Sequence, residues 1–234
     1  MKGILYLLPA TLGDPDTGYT IPAEVRRKVR DIRVFIVENL RSARRYLKSL
    51  DRGTEIDRLV FHELNEHTPP DLIPSFLQEL HQGTDTAVIT EAGVPGVADP
   101  GTEIVRLAHE QGIRVVPFTG PSSILLALMA SGLNGQQFRF HGYLPVQKQE
   151  RKKKIREMES VLKGTGETQL FIETPYRNDP LLADLLEVCD PATMLCIAVD
   201  LTMKSEEILT RTIAAWKKDI PSLHKRPAIF LIGK

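Results

Sequence analysis

Short apolar runs alternate with helical patterns through the first half of this 234-residue chain, and this alternation limits the possible folds most strongly. The predicted strands are 3–8, 34–37, 59–64, 86–90 and 113–118, and the predicted helices are 22–30, 42–50, 71–82, 101–111 and 122–131. Strands that alternate with helices form mostly parallel sheets with helices on both faces. We therefore expect an α/β fold whose first domain contains such a sheet.

The alternation of predicted strands and helices is interrupted near residues 131–145, where glycines and a proline predict a connection. Beyond it, the predicted helices are 149–163, 180–189 and one turn around Trp216, and the predicted strands are 168–173, 194–200, 206–213 and 227–233. Two consecutive strands at the end favour a mixed sheet. The sequence therefore predicts two α/β domains, residues 1–120 and 121–234, with the boundary somewhere within 117–137.

The charges balance, since 30 basic residues oppose 30 acidic ones. A chain without net charge has no global field that draws it to nucleic acid, so an anionic partner must meet a local patch. Basic residues cluster at 26–33, 41–48 and 148–156. Such a run predicts either contacts with phosphates or simply a solvated helix face.

The two cysteines, Cys189 and Cys196, are too few for a disulfide scaffold and lack the spacing of a metal site, so we expect both to be buried. The apolar run near the first residue is too short for a signal peptide or a membrane span. A cytoplasmic protein is therefore expected.

A stiff loop of twelve residues, TEAGVPGVADPG, occupies 90–101 between a predicted strand and a predicted helix. A strand-to-helix turn commonly needs two to six residues. Ligands in open α/β sheets bind outside the carboxyl ends of the strands, and glycines let a ligand approach the main chain. The loop is predicted to bind a ligand; the alternative is an ordinary connection in which Asp99 caps the helix that begins near Gly101.

A similar turn, Gly120–Pro121–Ser122–Ser123, follows the next predicted strand. Its two serines either cap the following helix or leave free amides for a ligand. Two such turns at neighbouring strand ends would outline one cleft.

Several familiar site motifs are missing from the sequence. It contains no dinucleotide fingerprint, no P-loop and no nucleophile elbow. The histidines of HELNEH (62–67) are five residues apart, so they point to different faces of a helix and no zinc site is expected.

Seven segments occur together in the order of a known family pattern. They are GILYLLPATLGD, VENLRSARRYL, TEAGVPGVADPG, IRVVPFTGPSSILLALMASGL, FRFHGYLP, LFIETPYR and VDLTMKSEEILTRTI. With them the chain resembles the tetrapyrrole methylase family of S-adenosylmethionine-dependent methyltransferases. Within that family it is most similar to the small-subunit ribosomal RNA ribose-2′-O-methyltransferases.

The resemblance implies two α/β domains with S-adenosylmethionine in the cleft between them, and a homodimer. It implies that the cofactor contacts Pro9, Thr90, Glu91, Ala92, Gly93, Pro95, Asp99 and Gly120 in the first domain, and Pro121, Ser122 and Ser123 at the connection that follows it. In the second domain it implies contacts from Glu173, Thr174, Pro175, Tyr176, Asp200, Leu201, Thr202, Pro227 and Ala228.

Transfer of a methyl group to a ribose hydroxyl needs a proton acceptor. Glu38 follows a predicted strand and is the candidate base, with a salt bridge or a helix cap as the alternative role. Arg41 is a candidate to steady a phosphate or that carboxylate. Arg44, Arg45 and the run Lys152, Lys153 and Lys154 are candidate nucleic-acid contacts.

The resemblance also has departures. The ribosomal branch reads Glu-Asp-Thr-Arg where this chain has Glu38–Asn39–Leu40–Arg41, so one carboxylate and one hydroxyl are lost. Three functions therefore stay open: a ribosomal RNA methyltransferase, a methyltransferase of a tetrapyrrole-like small molecule, and a relative that binds the cofactor without transferring a methyl group.

Overall fold

The computed structural model describes residues 1–13 and 17–234. Within them the chain divides into a first unit, Met1–Ser122, and a second unit, Ser123–Lys234. Asp14, the last residue of the first family segment, lies outside the described residues.

The described part of the first unit contains one five-stranded sheet, in which every recorded strand pairing is parallel. Its strands are β1 (Ile4–Leu8), β2 (Val34–Val37), β3 (Val60–Glu63), β4 (Thr86–Ile89) and β5 (Arg114–Pro117). They lie in the order β3-β2-β4-β1-β5, so β2, β4 and β1 are neighbours. The predicted parallel sheet is confirmed.

Helices cover this sheet on both faces. They are α1 (Thr17–Thr20), α2 (Ala23–Val29), α3 (Leu40–Leu50), α4 (Gln78–His81) and α5 (Gly101–Glu110), with short 3-10 segments at Ile56–Arg58 and Ile73–Leu77. Alternate side chains of each strand enter separate cores: Phe35 packs with α2 and α3, whereas Ile36 packs with α5 and the 3-10 segment Ile73–Leu77.

The continuous helix predicted for 71–82 is wrong over its first part. Ile73–Leu77 forms a 3-10 helix, and the α-helix begins at Gln78. Pro74 lies in the first turn of the 3-10 segment, where its missing N–H costs nothing. It would have removed a hydrogen bond from the interior of a longer helix.

The second unit also contains a five-stranded sheet, with the order β6-β7-β10-β8-β9. Its strands are β6 (Phe138–Tyr143), β7 (Thr168–Ile172), β8 (Met194–Val199), β9 (Glu207–Thr212) and β10 (Ala228–Gly233). β6 pairs with β7 in parallel and the other recorded pairs are antiparallel, so the predicted mixed sheet is confirmed. The prediction of a connection throughout 131–145 is wrong, because β6 lies inside it.

The helices of the second unit are α6 (Ser123–Ser131), α7 (Lys148–Thr165), α8 (Asn178–Val188) and α9 (Ile213–Trp216). They pack on a core in which Phe171 and Phe230 stack with ring centroids 5.9 Å apart. Cys189 and Cys196 are free and buried, as expected. Within the part of the chain that the structure describes, no helix has the length and apolar character needed to cross a membrane.

Candidate functional site

A pocket of 470 Å³ lies beyond the carboxyl ends of β1, β2 and β4, which are neighbours in the first sheet. We call it the front pocket. Its lining residues are Ala10, Thr11, Leu12, Gly13, Glu38, Asn39, Ser42, Ala43, Arg45, Tyr46, Ser49, Ile89, Thr90, Glu91 and Ala92. The pocket thus brings the candidate base together with the start of the 90–101 loop, at the sheet edge where α/β proteins bind ligands.

Glu38 stands directly after β2 on the wall of the front pocket. Its Oε2 accepts hydrogen bonds from the backbone N–H of Glu91, at 3.2 Å, and from the Thr90 hydroxyl, at 3.5 Å. Partial burial raises the pKa of Glu38 above its ordinary value, and the charges of Glu91 and Asp99 act in the same direction. A half-buried carboxylate with a raised pKa is suited to accept a proton near neutral pH.

The 90–101 loop folds back over the end of β1. The backbone N–H of Ala10 donates to the carbonyl of Gly93 at 2.8 Å. Gly93 has a φ of +75°, which side chains disfavour. A Cβ at this position would also lie 3.3 Å from Leu12 Cδ2 and 3.6 Å from the Pro121 carbonyl oxygen.

Asp99 ties the far half of the loop together. Its Oδ1 accepts hydrogen bonds from the backbone N–H groups of Gly96, at 2.8 Å, and Gly101, at 2.7 Å. The side chain therefore satisfies an amide at the start of α5, which is the structural role considered for it from the sequence. Its other oxygen, Oδ2, is buried and has no hydrogen-bond partner among the described residues.

Pro9 links the end of β1 to two other segments of the first unit. The hydroxyl of Tyr46, on α3, donates to the Pro9 carbonyl. Burial raises the pKa of Tyr46, so this hydroxyl keeps its proton. Gly120 lies against the Pro9 ring so closely that a Cβ there would be 2.4 Å from Pro9 Cβ. Gly120 is therefore required by packing.

The outer side of α3 carries a basic face, which we define as Arg41, Arg44, Arg45 and Lys48. All four are exposed, and none forms an ion pair with any described residue. α3 itself contains no acidic residue. Arg41 is not bonded to Glu38 among the described contacts, and Arg44 lies over the ring of Phe61, 5.5 Å from its centroid. Arg45 reaches the wall of the front pocket.

Asn39 is the N-cap of α3. Its Oδ1 accepts a hydrogen bond from the backbone N–H of Ser42 at 3.0 Å. Asparagine and aspartate cap helices about equally well. Asparagine in place of the family's aspartate at position 39 therefore preserves the start of α3 and the placement of the basic face.

The three lysines of α7 do not form one surface. Lys152 is largely enclosed, with Nζ 2.5 Å from Glu187 and 3.8 Å from Asp184. Lys153 is exposed, and Lys154 lies 4.0 Å from Glu157. Successive residues of a helix point about 100° apart, so the run is spread around α7 rather than along one side.

The predicted residues of the second unit share one edge of its sheet, because β10 runs antiparallel to both β7 and β8. Glu173 follows β7; its Oε1 accepts hydrogen bonds from the backbone N–H of Thr174, at 2.7 Å, and from Arg177 Nε, at 2.9 Å. Its Oε2 is buried and lacks a partner among the described residues. Tyr176 is largely exposed.

Asp200 and Thr202 follow β8 with φ angles of 51° and 70°. Asp200 Oδ2 accepts a hydrogen bond from Arg226 Nε at 2.9 Å, and the Asp200 N–H donates to Pro227. The Thr202 hydroxyl is buried with no partner in the described chain. Non-glycine residues in this conformation cost about 1–3 kcal/mol each and concentrate at functional sites.

Sequence reasoning missed the part of the front pocket that α3 supplies. Ser42, Arg45, Tyr46 and Ser49 all line it, and of these only Arg45 was considered. Their spacing of three and four residues places them on one helix side, and this was the signal available in the sequence.

Comparisons with known proteins agree with this architecture. The family model for Tetrapyrrole (Corrin/Porphyrin) Methylases matches residues 5–216. Proteins named Ribosomal RNA small subunit methyltransferase I are 31% identical in Halalkalibacterium halodurans and 36% identical in Micromonospora olivasterospora, over 91% and 89% of this chain. The chain spans 69% and 62% of the lengths of these two relatives.

A solved structure, that of the methyltransferase CobJ, matches with a TM-score of 0.64 over 100% of this chain and 95% of its own. Its sequence identity of 16% makes this a likeness of fold. The family match over most of the chain, together with the two α/β units, shows that this protein belongs to the tetrapyrrole methylase family of S-adenosylmethionine-dependent methyltransferases.

Proposed function

We propose that this protein transfers a methyl group from S-adenosylmethionine to a ribose 2′-hydroxyl of ribosomal RNA, and that the front pocket receives the acceptor. The basic face of α3 is the observation that carries the proposal, because its four cations, which form no ion pair with any described residue, stand beside a pocket that contains a candidate base. Phosphates of RNA are the natural partners of such a face. The names of the relatives from H. halodurans and M. olivasterospora support the same substrate class.

Both glycine loops of the first unit depend on glycine for their shape. Gly93 is buried with a left-handed backbone, and Gly120 packs against the Pro9 ring with no room for a side chain. The proposed contacts are those implied by the family pattern: Pro9, Thr90 to Gly93, Pro95 and Gly120 to Ser122, with Ser123 at the start of the second unit. Asp99, which the pattern also implies, supports the loop through the amides of Gly96 and Gly101.

The second unit offers a second set of proposed contacts: Glu173 to Tyr176, Asp200 to Thr202, Pro227 and Ala228. Glu173 Oε2 and the Thr202 hydroxyl are buried polar atoms that lack partners among the described residues. Such atoms cost free energy unless a bound group satisfies them. The hydroxyl and amino groups of a nucleoside have the donors that these oxygens need.

When bound, S-adenosylmethionine supplies a methyl group on a positively charged sulfur. The chain contributes position and a proton acceptor. Glu38 accepts the proton of the acceptor hydroxyl, and its raised pKa matches it to that task. Arg45 pairs with a phosphate beside the acceptor nucleotide, while Arg41, Arg44 and Lys48 hold the flanking backbone.

The charge of the front pocket favours RNA over a tetrapyrrole. Its described lining carries one cation, Arg45, and two carboxylates, Glu38 and Glu91. A tetrapyrrole with several carboxylates would be repelled by this balance, since like charges at close range disfavour binding. A nucleotide brings a single phosphate into the pocket and leaves its neighbours to the basic face.

The test is methyl transfer from labelled S-adenosylmethionine to three acceptors in parallel: small ribosomal subunits, total RNA and a metabolite extract. We expect label in ribosomal RNA. Label in a small molecule would support the tetrapyrrole-like alternative. Binding of S-adenosylmethionine without methyl transfer to any acceptor would support the third alternative, a protein that binds the cofactor but no longer catalyses the transfer.

A homodimer that acts in the cytoplasm, where ribosomal subunits are found, is also part of the proposal. The exposed side chains of Leu125 and Met129 on α6, 52% and 79% accessible, support it as an apolar surface suited to a second copy. Sedimentation analysis tests the dimer, and a monomer at micromolar concentration would contradict it.

A further inference from the structure

Glu38 lines a second, smaller cavity in addition to the front pocket. This rear cavity has a volume of 10 Å³ and is lined by Glu38, Thr90, Asp99, Pro100, Gly101, Leu64 and apolar residues of β2 and β4. That volume is about what one water molecule requires. Asp99 lines the rear cavity and not the front pocket.

Asp99 has one oxygen available for this space. Its Oδ1 is fully engaged by the amides of Gly96 and Gly101, whereas Oδ2 is buried and has no partner among the described residues. A buried carboxylate oxygen without a partner destabilises the fold, so it is normally satisfied by protein or by water. The rear cavity is the space from which a water can reach it.

We propose that Asp99 is a positioning residue for the base, and that its Oδ2 and the Glu38 carboxylate hold one water molecule between them in the rear cavity. The water donates one hydrogen to each carboxylate. Glu38 is thereby fixed from behind while its front faces the pocket. The role of Glu38 as base rests on the proposed function; the link between the two carboxylates does not.

The groups around Glu38 determine whether removal of the Asp99 charge raises or lowers the pKa of Glu38. Among the described residues that line either cavity, the other ionisable groups are Arg45 and Tyr46 on α3 and Glu91 and Asp99 on the loop. Burial raises the pKa of Glu38 most, and the Asp99 charge adds to the increase. Asp99→Asn keeps an oxygen for the amides of Gly96 and Gly101 but removes this charge, so Glu38 should then titrate at lower pH.

The first experiment is a carbon-13 NMR titration of the glutamate carboxyl groups in the wild type, D99N and E103Q, with the Glu38 signal assigned by its loss in E38Q. Glu103 is an exposed partner of Arg106 on α5, so E103Q is a control for a lost charge outside both cavities. We expect the Glu38 midpoint to move to lower pH in D99N alone. An unchanged midpoint in folded D99N would overturn the proposal.

A high-resolution crystal structure of the wild-type protein tests the water without any variant. It should show density between Asp99 Oδ2 and the Glu38 carboxylate, and a dry, collapsed cavity would overturn the proposal. The pH profile of kcat separates this inference from the proposed function. If D99N moves the NMR midpoint while E38Q transfers methyl groups at the wild-type rate, the link stands and the assignment of Glu38 as base fails.

Discussion

The backbone N–H of Ala10 donates to the carbonyl of Gly93 at 2.8 Å, and this bond joins the end of β1 to the loop that follows β4. Pro9, between β1 and Ala10, accepts a hydrogen bond from the Tyr46 hydroxyl and packs against Gly120. The end of β1 therefore fixes both glycine loops relative to α3. A substitution that shifts Gly93 should therefore also shift the other residues of the site.

Gly93→Val should weaken S-adenosylmethionine binding by roughly tenfold or more while the protein stays folded, because its side chain must push against Leu12 and the Pro121 carbonyl in addition to the backbone strain of about 1–3 kcal/mol. Gly96→Val is the matched control. Gly96 also has a positive φ, of +82°, but a Cβ there meets nothing within 4 Å. Calorimetry on both variants checks this; equal affinities in the two would mean that the loop is only a connection.

Asn39→Ala should lower the free energy of unfolding by about 1 kcal/mol, because the cap of α3 is lost. Asn39→Asp should stay within a few tenths of the wild type and keep its methyl transfer. Denaturant unfolding gives the energies. If Asn39→Asp instead restored activity to an inactive wild type, the departure at this position would be a loss of function.

Two triple variants with the same change in charge locate the RNA surface. The first variant changes Arg41, Arg44 and Lys48 to alanine. It should make the slope of log binding constant against log salt less steep by about 0.7 per lost contact, for single-stranded RNA. The second variant changes Lys152, Lys153 and Lys154 to alanine. It should change this salt slope less, because Lys152 is held by Glu187 and Asp184. RNA retention over a salt series decides between them, and a larger loss in the α7 variant would place the RNA there.

Glu38→Gln should abolish methyl transfer and yet not destabilise the fold at neutral pH. The pKa of Glu38 is raised from 4.5 in the folded state, so the folded protein binds more protons than the unfolded one above that value. Wild-type stability should therefore fall, relative to Glu38→Gln, as pH rises from about 4.5 through the raised pKa. Thermal unfolding across this range measures the difference; a constant difference would show that the carboxyl is not perturbed.

Most strands and helices followed from periodicity because their apolar residues are strongly patterned. β6 did not, since His141, Gly142 and two exposed residues, Phe138 and Arg139, interrupt the pattern of an edge strand. It forms because β7 offers a parallel partner, which is a non-local cause that periodicity does not report.

The site was predictable to the extent that glycines and prolines mark strand ends. The loop at 90–101 was found in this way, whereas Glu38 was found as a carboxylate at a strand end that matches the family pattern; Glu38 and the start of the loop line one pocket. The hydrogen bond from Tyr46 to Pro9 spans 37 residues of sequence, and the rear cavity between Glu38 and Asp99 spans more. Such contacts are set by the packing of the sheet and have no local signal.

Nucleoside analysis of the product tests the central claim most directly. Small ribosomal subunits are incubated with labelled S-adenosylmethionine and either the wild type or Glu38→Gln, and the RNA is digested to nucleosides for mass spectrometry. The account predicts one nucleoside methylated on its ribose 2′-oxygen with the wild type and none with Glu38→Gln. A methyl group on a base, or equal ribose methylation by both proteins, would contradict it.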